Sequence, residues 1–262
     1  MVSIVFSGDG GFPPRMNLEA AVAKAVDLLT PAGFDIVAYD YSPVPLSHEG
    51  DFILPSALAM RNVPEDMEML WCGQGYYGRD PVMEAARHVT QPFYWSHGGR
   101  QSPIMEKILG ERHAPVVDYL RSMRMRSGIT VPIPVAGGGL ATFTAMRLEG
   151  CDADLERHLL AVGHLGHLLH DAVLPGLPPE QLRTTFMQLS ARERECLSLC
   201  ALGMTAKEIA HQLQRSVPTV TLHLTSATKK LRARNRFHAV ALAGYYRLLD
   251  RVETTEPPIR AI

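Results

Sequence analysis

The spacing of apolar positions divides the chain into a mixed first part and a helical last part. Leu18 to Leu29 repeats with a helical period, with Asn17 placed to cap it and Pro31 and Gly33 beyond its end. Asp35 to Tyr41 predicts a strand. Ile36, Ala38 and Asp40 fall on one side and Val37, Tyr39 and Tyr41 on the other, so the strand is apolar on both faces and expected to be covered on both. Pro64 to Leu70 and Pro81 to His88 read as short helices separated by Gly73 to Gly78. Gly128 to Pro134 and Leu140 to Leu148 predict two strands joined through Gly137, Gly138 and Gly139. A phosphate-binding loop is the other reading of those glycines, but no Lys-Ser or Lys-Thr follows and no helix opens there. Asp152 to Leu169 predicts a long helix with Leu155, Leu159, Val162 and Leu169 as its apolar stripe.

Pro175, Gly176, Pro178 and Pro179 mark a linker. Beyond it the pattern is helical throughout. Ser190 with Glu193, and Thr205 with Glu208, each form a capping box. Cys196, Leu197, Cys200 and Ala201 are expected inward on the first of these helices, and Ile209, Ala210 and Leu213 on the second. Gly203 sits where a left-handed helix end needs glycine. Ser216 caps a third helix, whose first turn tolerates Pro218. There Val217, Val220, Leu224, Ala227 and Leu231 form one stripe. The expected organisation is residues 1–174 as an α+β sensor domain (a sheet with helices on both faces), 175–187 as linker, 188–250 as an all-α helix-turn-helix domain and 251–262 as a tail.

Charge sharpens this division. Residues 188–250 hold ten Lys/Arg against four Asp/Glu, a net of +6, so the remainder of this chain of net charge −1 carries −7. A basic module on an acidic body points to phosphate contact by one domain only. The other faces of the third helix hold Thr219, Thr221, Leu222, Thr225, Ser226 and Lys229, with His223 a further candidate contact, followed by Lys230, Arg232, Arg234 and Arg236. Hydroxyls and an apolar side chain suit base edges and a thymine methyl, and ammonium groups suit phosphates. With Thr205 and Lys207 at the start of the second helix, these residues, from Thr219 to Lys230, are the candidate DNA contacts. Cys72, Cys151, Cys196 and Cys200 form no Cys-x-x-Cys pair and are expected reduced, in a cytoplasm. His158, His164, His167 and His170 do not share one face, so a packing or dimer-facing helix is preferred to a metal site, and no cofactor is expected. No apolar run approaches the roughly 18 residues of a membrane span. The start, MVSIVFSGDGGFPPR, lacks a signal peptide's basic and apolar regions.

The last domain resembles the LuxR-type helix-turn-helix. The resemblance is carried by Leu189, Arg192, Glu193, Glu195, Leu197, Gly203, Glu208, Ile209, Ala210, Leu213, Ser216, Thr219, Val220, His223, Lys230, Leu231, Arg236 and Ala239. It implies a four-helix module whose last helix, around Arg236 to Leu249, dimerises; a two-fold dimer is expected on an inverted-repeat DNA site.

The first part resembles the autoinducer-binding domain of quorum-sensing LuxR regulators, which carry Asn-Tyr-Pro-x-x-Trp-x-x-x-Tyr, then Tyr-x-x-x-Asp-Pro, a Trp and a Gly leading a strand. Here the run is Asn62, Val63, Pro64, Met67 and Trp71, then Tyr76, Asp80, Pro81, Val82, Trp95 and Gly128. The candidate ligand-binding residues are thus Val63, Met67, Trp71, Tyr76, Asp80, Trp95 and Gly128, with Thr144 adding a hydroxyl. Asp80 suits a ligand N–H, or the N-cap of the helix that follows, or both. Three positions depart from the family pattern: Met67 stands for a Trp that holds the lactone carbonyl, Trp71 for a Tyr, and Val63 for a second Tyr. Met cannot donate a hydrogen bond. Loss of one buried donor costs about 1–3 kcal/mol. The pair Met67 and Trp71 resembles a subgroup of LuxR solos of plant-associated bacteria, which implies a small plant-derived signal. The expected function is a ligand-responsive, homodimeric transcriptional regulator in contact with DNA and the transcription machinery. A conventional acyl-homoserine lactone receptor is the alternative, and an enzyme fused to a DNA anchor a remote one.

Overall fold

A computed structural model describes residues 11–148 and 154–250. The chain forms two compact units that divide between Arg183 and Thr184. The first contains α1 (Leu18–Leu29), β1 (Ile36–Ser42), β2 (Ala57–Arg61), α2 (Pro81–Ala86), β3 (Phe93–Ser96), α3 (Pro103–Ile108), α4 (Ala114–Ser122), β4 (Ser127–Val135), β5 (Gly139–Arg147) and α5 (Leu155–Val173). The five strands form one antiparallel sheet in the order β2-β1-β5-β4-β3.

The sheet is covered on both faces because its strands are apolar on both. On β1, Val37, Tyr39 and Tyr41 enter one core with α1 and α5, through Leu29, Leu165 and Leu169. Ile36 enters the other core, with Met83, Val116 and Leu120 from α2 and α4. Asp40 shares the second face and is buried there. The β4–β5 hairpin pairs Val135 with Gly139 across the expected glycine turn. Pro132 and Pro134 lack an N–H for a ladder. They lie on β4 beyond Thr130, where pairing with the short β3 has ended, so no bond to that side is lost.

Several local expectations change. Pro64 to Leu70 is not a regular helix: a wide π-type turn runs over Met69–Gly73. It still buries Met67 and Trp71 together and leaves Met69 outside. β2, β3, α3 and α4 were not evident from periodicity. The long α5 runs to Val173, and its expected first residues, Asp152 and Ala153, lie outside the described residues. His170 packs against β1, its Nδ1 lying 2.9 Å from the Tyr39 hydroxyl. The segment expected as linker begins as part of the first unit. Leu177 is buried in its core, and Ser56 Oγ donates to the Gln181 carbonyl at 2.6 Å. Pro175 and Gly176 lie in a 3-10 turn that follows α5, and the prolines beyond it do not prevent packing. The expected tail lies outside the described residues.

The second unit contains α6 (Ala191–Ala201), α7 (Ala206–Gln212), α8 (Val217–Lys230) and α9 (Arg236–Tyr245). Ser190 and Thr205 form the two capping boxes, Ser216 accepts from the Thr219 amide, and Asn235 caps α9. Gly203 has φ of +87°, the left-handed end that separates α6 from α7. Cys196, Leu197 and Leu199 are buried on α6, whereas Ala201 is exposed and Cys200 half-buried at the helix end. Leu213 is half-buried. The α8 stripe is covered only from Val220 onward, and Val217 in the first turn is exposed. Among the described residues no helix is long and apolar enough to cross a membrane, and Cys72, Cys196 and Cys200 are free.

Candidate functional site

The second face of the sheet, the π-type turn and α2 enclose a cavity of about 50 Å³. Five of the expected residues line it: Met67, Trp71, Asp80, Trp95 and Thr144. The other three stand behind the wall. Val63 packs against the same core. Tyr76 and Tyr119 hold the outer side of Trp71, with ring centres 5.6 and 5.7 Å away. Gly128 makes room for Trp95, since a Cβ there would lie 2.6 Å from the Ala145 carbonyl oxygen and 2.7 Å from the Trp95 ring.

Asp80 takes part in two structures at once. One carboxylate oxygen accepts from the Val82 amide at 2.8 Å, capping α2; the other accepts from the Trp71 indole at 3.1 Å. The indole that replaced a family tyrosine therefore points at the carboxylate. The Trp95 indole is also engaged, donating to Thr130 Oγ1 at 3.1 Å, and Thr130 shares a 3.0 Å bond with Thr144.

The periodicity had placed Asp40 on this face without identifying it as a site residue. It lines the cavity, fully buried in an apolar wall, and accepts hydrogen bonds from the Tyr77 hydroxyl at 3.0 Å and from Thr142 Oγ1. A carboxylate inside an apolar strand face was the signal available in the sequence. Tyr77 escaped notice because only a turn brings it back to β1. Burial pushes the Asp40 carboxyl up to about 6 against the hydrogen bonds from Thr142 and Tyr77, and repulsion from Asp80 adds to the rise. Burial likewise pushes Asp80 up to about 6, opposed by the Val82 amide and the Trp71 indole.

On the second unit, Thr205, Lys207, Thr221, Leu222, Thr225, Lys229 and Lys230 are exposed, and Thr219 and His223 half-buried. Leu222, at 66% exposure, is a large apolar side chain turned away from the core. Not all of these side chains are equally available. Lys230 Nζ donates to the buried Glu193 at 2.8 Å, and Ser226 donates to its other oxygen at 2.7 Å, joining α8 to α6. Burial raises the Glu193 carboxyl, but these bonds and the Ser190 amide outweigh it and hold it down at about 2. Thr205 and Glu208 satisfy each other within the cap.

Residues 17–173 match the autoinducer binding domain, and residues 187–243 match the bacterial regulatory proteins of the luxR family. Among similar proteins, the transcriptional activator BjaR1 of Bradyrhizobium diazoefficiens is 29% identical over 248 residues, 91% of this chain and 90% of that protein. The transcriptional activator AhyR of Aeromonas hydrophila is 26% identical over 209 residues, 78% of each. The crystal structure of Escherichia coli SdiA superposes with a TM-score of 0.56 at 20% identity, covering 90% of this chain and 93% of that one, a likeness of fold. The chain belongs to the LuxR family of transcriptional regulators, with an autoinducer-binding domain ahead of its helix-turn-helix. Its matched domains make it a ligand-binding transcriptional regulator with a DNA-binding module, not an enzyme.

Proposed function

We propose that this regulator responds to a small plant-derived compound rather than to an acyl-homoserine lactone, and that it acts in the cytoplasm as a homodimer on inverted-repeat DNA. The observation that carries this reading is the Trp71–Asp80 hydrogen bond. Met67 offers no donor for a lactone carbonyl, and the neighbouring indole has given its own to Asp80. The Met-then-Trp pair also resembles the regulators of plant-associated bacteria. The match to the autoinducer binding domain supports the second reading, a conventional lactone receptor.

Dimerisation through α9 is supported by two large side chains on its surface, Phe237 and Tyr245, at 71% and 47% exposure. The test of ligand class is thermal stabilisation of the purified protein across a lactone series and fractionated plant extracts, because a ligand that binds the folded state raises its stability. Stabilisation by a plant fraction and not by lactones is expected. Stabilisation by nanomolar lactone reverses the assignment.

A further inference from the structure

The polar side chains lining the cavity are Asp40, Trp71, Tyr77, Asp80, Trp95 and Thr144, with no Lys, Arg or His among them. Their donors are largely committed. Trp71 gives its N–H to Asp80, Trp95 to Thr130, and Tyr77 its O–H to Asp40. Thr144, at the end of the Thr130 pair, keeps a hydroxyl that can serve either way. An ionised carboxylate has about four acceptor sites. Hydrogen bonds from Tyr77 and Thr142 use two at Asp40, and those from Trp71 and the Val82 and Met83 amides use three at Asp80, leaving two sites and one. What the cavity offers a ligand is therefore mostly spare acceptor capacity on two buried anions.

We propose that Asp40 and Asp80 form an acidic pair that selects a signal bearing an alkylammonium group, so that this pocket takes small organic cations in preference to neutral acyl lactones. The inference rests on the reading of this cavity as the signal site. An ammonium supplies three donors and the positive charge that the cavity lining lacks; His113, which also favours the ionised Asp80, is not part of that lining. Its bonds to them are charge-assisted and short. It also offsets the burial and mutual repulsion that raise Asp40. A lactone instead brings carbonyl and ring oxygens, acceptors set against acceptors, with a single N–H in exchange; that mismatch works against binding. Met60, Met67, Met83 and Met146 complete an adaptable apolar wall for the alkyl part.

The experiment uses the full-length protein, thermal shift and calorimetry, with n-butylammonium chloride as probe and n-butanol and N-butylacetamide as neutral counterparts. The wild type should be stabilised by the ammonium and not by the neutral compounds. Asp40→Asn and Asp40→Leu should weaken ammonium binding on the order of tenfold to a hundredfold. Near-ultraviolet circular dichroism checks that both variants fold, and the comparison of probes on the wild type holds whether or not they do. Equal response to charged and neutral probes, no response to any, or unchanged ammonium affinity in a folded Asp40 variant overturns the acidic pair. Strong binding of a neutral plant compound overturns the pair while leaving the plant-signal reading intact; nanomolar lactone binding overturns both.

Discussion

The indole of Trp71 and the carboxylate of Asp80 are bonded to each other at 3.1 Å, on the wall of the cavity and inside the protein. Two family positions that would each face a ligand are here coupled. The indole at Trp71 therefore alters the acceptor at Asp80, beside the donor that is missing at Met67.

Met67→Trp with Trp71→Tyr is expected to move the response towards acyl-homoserine lactones. It restores a donor at 67 and releases the Asp80 oxygen for an amide. One buried hydrogen bond of about 1–3 kcal/mol corresponds to roughly tenfold to over a hundredfold in affinity. Met67→Trp alone should destabilise by about 1–3 kcal/mol through overpacking. A double-mutant cycle on lactone-dependent thermal shift should be non-additive, and additivity would show that the positions act separately.

The Asp40 carboxyl is raised from 3.8 to about 6 by burial. The unfolded chain thus releases its proton first, and the sensor should lose stability as pH rises from about 4 to about 6, by about 3 kcal/mol for this group. Asp40→Asn removes that slope. Asp80, Tyr77 and Cys72 surround the group and remain in both proteins, so the difference between wild type and variant isolates it. Urea midpoints at pH 4, 5, 6 and 7, pH values spaced across the window, should show the variant gaining relative stability with pH. Parallel curves would contradict the burial argument.

Gly128→Ala should destabilise the sensor by about 1–3 kcal/mol. The new Cβ meets the Ala145 carbonyl oxygen at 2.6 Å and the Trp95 six-membered ring at 2.7 Å. Trp95→Phe in the same chain removes the second obstacle and not the first, so partial rescue in a urea titration is expected. Full rescue would mean that the carbonyl contact relaxes without cost.

Lys229 and Lys230 are neighbours with different expected roles. Lys229→Ala should weaken binding to all DNA sequences alike and reduce the slope of log affinity against log salt by about one. Lys230→Ala should chiefly destabilise the helix-turn-helix unit, since it leaves the buried Glu193 without its cation. Thr221→Ala or Thr225→Ala should relax base preference. Fluorescence anisotropy over a salt series, paired with thermal melts, separates these outcomes. A large melting shift in Lys229→Ala with an unchanged salt slope would reverse the assignment.

A full inverted repeat of roughly 20 bp should bind more tightly than a half-site, because two related recognition helices reach successive major grooves about one turn apart. Equal affinity for both in gel shifts would rule out a dimeric reader.

The sequence by itself determined what depends on near neighbours in the chain. Capping pairs three residues apart located α6 and α7, and Ser216 the start of α8, because a cap is satisfied within one turn. The division of β1 into Ile36, Ala38 and Asp40 against Val37, Tyr39 and Tyr41 followed from the two-residue period of a strand. The family motif brought Met67, Trp71, Asp80 and Trp95 into view. Tertiary structure decided which groups meet across long separations. It joined Tyr77 and Thr142 to Asp40, Lys230 to Glu193 and Gly128 to the Trp95 ring. It also kept the proline-rich residues after Pro175 against the sensor. Local pattern records propensity and facing direction, whereas a hydrogen bond or a close approach depends on which strands and helices become neighbours. That is why Trp71, placed by the motif among the ligand-binding residues, is in the folded protein the partner of Asp80.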